Sequence, residues 1–290
     1  MNAVISKVLF IGPTIRADDE SLGGTTISFE MLLTHVRERA QPHSIISVNR
    51  IRHRWISAIL VILQMIWKVP LNDVVMLNAN PRGALILAPM VSLYSRLWRK
   101  YFVFRMFGGD LIEIYERSSP KTQRRMNKTI FAADIVYLQT KRLIEHFKDH
   151  SDKIKWLPTS RVMQPKEKNI KVFKGRFVYI GQIIPNKGID LLLQLAKNRT
   201  DITVTIYGPI LDPQYENIKK EHCYHGVLAP KDVSNALSKY DVLLLPTFHP
   251  GEGYPGIIIE AFSEGLPVIS TEWLAIPCLL YTSPSPRDRG

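Results

Sequence analysis

The stretch GEGYPGIIIEAFSEGLPVIS, residues 251–270, sets two glutamates, Glu252 and Glu260, eight positions apart across a turn that also holds Gly251, Gly253, Pro255 and Gly256. The run before it, YDVLLLPTFHP, has the short apolar core of a buried strand. IIIEAFSEG reads as a helix stopping at Gly265, and LPVIS as the next strand. Strand, glycine loop, helix and strand form a βαβ unit, in which ligands gather at the carboxyl ends of the strands. The glutamate loop is predicted to lie there.

Working outward, the same alternation recurs along the chain. KVLFIGP, SIISVNR, VVMLNAN, YFVFRMFGGD and DIVYLQT read as strands of a first half. Helices are predicted over TTISFEMLLTHVRER, from about Arg54 to Trp67, across LILAPMVSLYSRLWRK, from about Pro120 to Phe131, and over KRLIEHFKD. The polar, lysine-rich SRVMQPKEKNIKVFKG then reads as a linker, after which RFVYIGQ, LLLQLAKN, ITVTIYG, VSNALSKY and DVLLLP restart the βα pattern. Two α/β domains follow, residues 1–160 and 161–277. The last thirteen residues, CLLYTSPSPRDRG, lack apolar periodicity and carry two Ser-Pro steps; CLLYTSPSPRD resembles the translation of a transposase-type sequencing-library adaptor. Residues 278–290 are therefore expected to be a non-native tail, with the second domain cut short at Pro277.

The 290 residues are 46% hydrophobic and 22% charged, a globular composition large enough for two cores. Cys223 and Cys278 give neither a metal spacing nor a disulfide framework, which fits a reducing, cytoplasmic setting. No leader is legible in MNAVISKVLFIGP, which runs straight into a strand. The net charge of +12 is uneven: residues 1–160 carry +10 and residues 161–290 carry +2. A basic first domain suits a phosphorylated ligand, an anionic membrane surface or nucleic acid. Against nucleic acid, the aromatics sit inside apolar runs and do not interleave with a basic stripe. WISAILVILQMIW, thirteen residues flanked by Arg50, Arg52, Arg54 and Lys68, is shorter than the roughly 20 needed to span a bilayer, and reads as either a core helix or an interfacial one.

Three loops carry chemistry. In the first, Glu260 suits a ribose diol, because a carboxylate accepts from two adjacent hydroxyls, and Glu252 could address a second sugar-like group. The glycines between them let backbone N–H groups approach a ligand, and the helix N-terminus favours phosphate. A capped helix with solvent-facing acids is the competing reading. The second loop, YIGQIIPNKGIDLLLQLAKN, sets Lys187 between Gly181 and a helix, where it could neutralise a diphosphate; an ordinary Asn-Lys-Gly turn has the same sequence. The third, SLGGTTISFE, opens a helix with Gly23 and Gly24. Neither G-x-G-x-x-G nor G-x-x-x-x-G-K-[ST] occurs, so nicotinamide-binding and P-loop fingerprints are missing.

In this order and spacing the loops resemble retaining nucleotide-sugar glycosyltransferases of family 4, which have the GT-B fold of two Rossmann-like domains facing each other across a cleft. The resemblance is carried by Glu252 to Glu260 as an E-x7-E element, by GQIIPNKGIDLLL around Lys187 and by Gly23-Gly24; it spans the second half to Pro277 and is looser in the first. It implies a nucleoside diphosphate sugar as co-substrate, with no cofactor, and a glycan or lipid-linked acceptor held by the first domain, in envelope polysaccharide or glycoconjugate synthesis. Glu260 would hold the ribose, Glu252 the sugar and Lys187 the diphosphate. Gly23 and Gly24 would approach the phosphates, and Gly181, Gln182, Gly253, Tyr254, Gly256 and Ile257 would complete the donor site. The transfer would need no metal, and no D-x-D element is present. The chain departs from the family at Gln182, where Gly-Arg is common, and in RMFGGDLIE, which lacks the family histidine; Asp110 or Arg105 is expected to take part of that role, unless Asp110 merely caps a helix. A non-catalytic relative and a basic nucleic-acid-binding protein are the alternatives.

Overall fold

The computed structural model describes residues 6–15, 23–49, 54–161 and 172–280. Most of the expected linker and residues 281–290 of the expected tail lie outside the described residues. Among the described residues, the chain forms two compact units. The first holds residues 6–15, 25–49 and 54–159; the second holds Gly23, Gly24, Ser160, Arg161 and residues 172–280.

In the first unit the elements run β1 (Val8–Gly12), α1 (Gly24–Glu38), β2 (His43–Ser47), α2 (Arg54–Lys68), β3 (Val74–Ala79), α3 (Pro81–Leu97), β4 (Tyr101–Met106), α4 (Leu111–Glu116), α5 (Pro120–Thr129), β5 (Ile135–Leu138), α6 (Lys141–Phe147) and β6 (Ile154–Trp156). The strands make one parallel sheet in the order β2-β1-β3-β4-β5-β6. Strand alternation sorts the core onto two faces: Leu9 and Ile11 of β1 join the cluster that includes Val61 and Met65 of α2, and Phe10 packs with Phe29 and Leu33 of α1. Two of the longer helices begin at defined caps. The Asn80 side chain accepts from Gly83 N at 2.8 Å before Pro81, and Ser119 Oγ accepts from Thr122 N at 3.3 Å before Pro120.

Sequence periodicity missed α4 and β6. Six residues make under two helical turns, and the three residues of β6 include Lys155 and the exposed Trp156, so neither leaves a readable period. The WISAILVILQMIW helix has one buried and one exposed face, as a core-packed helix at the surface does. α2 buries Ser57, Val61 and Met65, and exposes Ile59, Leu63 and Trp67, the last at 75%. Among the described residues no helix is long and apolar enough to cross a membrane.

The second unit runs β7 (Arg176–Ile180), α7 (Ile189–Asn198), β8 (Thr203–Tyr207), a 3-10 segment (Pro213–Lys220), α8 (Val233–Leu237), β9 (Val242–Leu245), α9 (Gly256–Ser263), β10 (Val268–Ser270) and α10 (Ile276–Leu280). Its parallel sheet has the order β10-β9-β7-β8. Asp241 ties the starts of β7 and β9 together: it accepts from the Lys174 and Arg176 amides at 2.9 Å and from the Arg176 guanidinium at 2.8 Å. These bonds, the Arg176 side chain first, hold its carboxyl down at about 2. The chain is helical from Ile276 through Leu280. Ile276 is buried, and Leu279 and Leu280, three and four positions on, pack on the same core and complete an apolar face.

Candidate functional site

The second sheet has one topological switch point. From β7 the chain passes to β8 on one side, then crosses to β9 on the other, so the loops leaving β7 and β9 flank the point where ligands bind in open α/β sheets. Those are the loops of residues 181–188 and 246–255, which hold Lys187 and Glu252. Backbone contacts knit them together: Phe248 N donates to Asn186 O at 2.7 Å. Gly188, at φ +71, permits this approach. A Cβ built on it would lie 2.2 Å from Pro246 O.

The knitted loops bring Lys187 to Glu252 as an ion pair in which Lys187 Nζ donates to Glu252 Oε2. Both side chains are largely buried, at 13% and 11% exposure. Thr247, fully buried in the loop two residues after β9, donates from Oγ1 to the same oxygen at 3.0 Å. Its own carbonyl accepts from Thr271. Tyr179 is fully buried, and burial, with a lesser contribution from Glu252, pushes its phenol up. Its hydroxyl donates to Gln182 O at 2.8 Å and fixes the turn after β7. Sequence reasoning found Lys187 and Glu252 separately. It missed Thr247, which looks like any threonine after a buried strand.

Glu260 is the fifth residue of α9, one turn further in than the helix start where it was expected. Pro255 stands at the N-cap position of the eight-residue helix GIIIEAFS and offers no side-chain cap. Glu260 Oε1 accepts from Arg161 Nε at 2.5 Å, and the Arg161 side chain is 5% exposed. Its guanidinium also donates from Nη1 to Ser160 O at 3.0 Å, and its other end lies over Gly256: a Cβ there would fall 1.8 Å from Nη2. Arg161 was not a predicted site residue. It stands 99 positions from its partner, beyond the reach of any local pattern.

The remaining expected donor residues divide. Gly181 donates its amide to Tyr207 O at 3.0 Å, and a Cβ there would meet Tyr179 Oη at 2.8 Å. A Cβ on Gly23 would lie 3.4 Å from Gln182 Nε2, and one on Gly24 would meet nothing. Gly253 is buried in the glutamate loop. The Tyr254 phenol is pushed up by burial and, less, by Cys278. Ile257 is partly buried and packs against the second-unit cores.

Asp110 and Arg105 lie in the first unit. Asp110 occupies the N-cap position of α4, but its side chain accepts no bond from the helix amides, so the capping reading fails in its usual form. Its loop is pinned by Gln139, which accepts from Gly108 N and donates to Thr159 Oγ1, both at 3.0 Å. Arg105, on the central strand β4, is 4% exposed and stacks 4.8 Å from the Phe107 ring. No cluster of three or more His, Cys, Asp or Glu suited to a metal occurs among the described residues.

Two α/β units with this site invite comparison with known proteins. Residues 174–281 match the family model for glycosyl transferases, group 1. The match lies on the second unit and includes both site loops. Solved structures extend the likeness over the first unit. Alr3699/HepE of Anabaena, solved with UDP and glucose, is 14% identical at a TM-score of 0.67 over 95% of this chain and 83% of that one. The catalytic domain of starch synthase IV from Arabidopsis thaliana, bound to ADP and acarbose, is 11% identical at 0.62 over 94% and 84%. A glycosyltransferase from Rickettsia africae ESF-5 is 13% identical at 0.61 over 95% and 82%. At such identities the likeness shows the fold, which is that of the GT-B glycosyltransferases with two Rossmann-like domains. Curated proteins give no significant match.

Proposed function

We propose that the chain is a glycosyltransferase of the retaining type that moves a sugar from a nucleoside diphosphate sugar to a glycan or lipid-linked acceptor. The observation that carries this reading is the joining of Lys187 and Glu252 at the switch point of the unit that matches glycosyl transferases, group 1. Departure of a nucleoside diphosphate leaves negative charge on the phosphates, and a fixed ammonium in a water-poor site stabilises it. Lys187 supplies that charge, and Glu252 and Thr247 fix its position. Both of their bonds fall on Oε2, which leaves Oε1 of Glu252 for a sugar hydroxyl. Glu260 accepts the ribose diol, and the amides of Gly253, Tyr254, Gly256 and Ile257 approach the phosphates. Charge stabilisation by Lys187 makes the reaction metal-independent, and the donor is a co-substrate in place of any cofactor.

Glu260→Gln keeps the side chain's shape and removes its charge, so it tests the ribose role with least disturbance. UDP-glucose and ADP-glucose titrated into the two proteins should show donor affinity falling about tenfold or more, the range for hydrogen bonds to a charged group. Unchanged affinity in a folded variant would sink the ribose assignment.

The acceptor side is proposed to seat on an anionic membrane. Ile59, Leu63 and Trp67 form an exposed apolar stripe on α2, and α3 adds exposed Leu93 and Leu97, with exposed Trp98 just after its end. α5 lies against α3, with Arg96 Nη2 donating to Lys128 O at 2.8 Å, and exposes Lys121, Arg124, Arg125 and Lys128. An apolar stripe bordered by cations is the composition of an interfacial surface. The double variant Leu63→Asp, Trp67→Asp removes exposed side chains only, and should reduce co-sedimentation with vesicles containing phosphatidylserine about tenfold. Equal sedimentation of both proteins would remove the membrane from this proposal.

A further inference from the structure

Phe248 follows Thr247 in the loop that carries Glu252, and it belongs to no expected site. Its backbone is fixed, because the amide donates to Asn186 O at 2.7 Å, one residue from Lys187. A tight turn separates it from Glu252, whose amide donates to His249 O at 3.0 Å. The ring is fixed as well. It packs against Trp273 with centroids 5.8 Å apart and planes at 69°. Trp273 is itself anchored: it lies partly buried against the second unit's core, and its Nε1 donates to His249 O at 2.9 Å. Yet Phe248 is 48% exposed. Single apolar residues on a surface are ordinary. An aromatic ring held by its backbone and by a neighbouring ring, and left open to solvent in a loop of the site, is not accounted for by packing alone.

We propose that Phe248 is the platform on which the sugar of the nucleoside diphosphate sugar stacks, and that it is a specificity-determining residue for that sugar. The inference rests on the donor-site reading above. A pyranose presents two kinds of surface, a rim of hydroxyls and a face of C–H groups. Small-molecule sites meet such a ligand with a few placed polar groups and an apolar wall. Glu252 supplies an acceptor for the rim, since the bonds from Lys187 and Thr247 both fall on Oε2. Phe248 supplies the wall. The face of an aromatic ring is the negative part of its quadrupole and attracts the weakly positive C–H hydrogens. Trp273 meets Phe248 edge to face, so at least one face of Phe248 is left uncovered by it whichever ring supplies the edge. A ring already held in place loses little freedom when a ligand arrives. The nucleotide makes no use of this face, so Phe248 acts on the sugar and leaves the nucleoside diphosphate to Lys187 and Glu260.

The test titrates UDP, UDP-glucose and UDP-N-acetylglucosamine, and ADP with ADP-glucose, into the full chain by ligand-observed NMR. Phe248→Leu keeps an apolar contact for Trp273 and removes the aromatic face. It should weaken the nucleotide sugar that binds by about three- to tenfold, the range for one aromatic contact, and leave the parent nucleoside diphosphate unchanged. The ratio of the two affinities then falls by the same factor. Phe248→Tyr keeps the face and should hold the ratio. Saturation of aromatic protons should pass to the sugar C–H protons in the wild-type chain, and that transfer should drop in Phe248→Leu. Equal weakening of nucleotide sugar and nucleoside diphosphate, or no change in either, would overturn the platform while leaving the donor site standing. A folded wild-type chain that binds none of these ligands would overturn the donor-site reading itself.

Discussion

Lys187→Ala is expected to reduce sugar transfer by about 10² to 10³, the loss seen when one pre-organised stabiliser of transition-state charge is removed. The physical reason lies in where the ammonium sits. It is held at the switch point by Glu252, and at 13% exposure little water competes with it. A charge fixed in that position before reaction costs no reorganisation as the diphosphate leaves. The effect should therefore fall mainly on kcat, with a smaller change in donor affinity. The same substitution leaves Glu252 buried with Thr247 as its remaining side-chain donor, and breaking a buried pair from one side costs about 3 kcal/mol of stability. Thermal unfolding of the variant separates the two losses. Lys187→Ala combined with Glu252→Gln should recover stability without recovering turnover. Full transfer activity in either folded variant would show that another group stabilises the leaving diphosphate.

Gly188→Ala is expected to be the most damaging single-methyl change in the second unit's site loops. A β-carbon there would stand 2.2 Å from Pro246 O and would also have to tolerate φ +71. Backbone cannot yield as a flexible side chain can, so the loop after β7 must part from the loop after β9. The Phe248 N to Asn186 O bond would be lost with it. Left-handed strain and the clash together should cost about 3 kcal/mol or more. Lys187 and Glu252 would then separate, and turnover should fall toward that of Lys187→Ala. A variant of wild-type melting temperature and activity would show that the two loops are not mechanically joined. Gly24 provides the contrast, since a Cβ there meets nothing. Its alanine variant should retain wild-type stability.

The two glycine loops and the two glutamates were legible in the sequence because each is a local event. A buried strand, a run of glycines and an apolar helix follow one another within twenty residues, and period and turn chemistry report that order directly. The alternation of β and α, the break between the halves and the candidate roles of Lys187, Glu252 and Glu260 all come from patterns of this range. Elements too short to carry a period, α4 and β6, did not register. The α10 helix escaped for a different reason: Ser-Pro steps further along the chain outweighed the spacing of Ile276, Leu279 and Leu280.

What the tertiary structure decided is which of these residues meet. Lys187 and Glu252 are 65 positions apart, and only the crossing from β8 over to β9 sets their loops side by side. Thr247 gains significance only as the second donor to that carboxylate. Arg161 reaches Glu260 across 99 residues, and its seat exists because Gly256 has no side chain. Such pairings depend on sheet order and on space left by a missing Cβ. Neither is a property of any short stretch of sequence, so a one-dimensional pattern holds the parts of this site while the packed fold determines their partners.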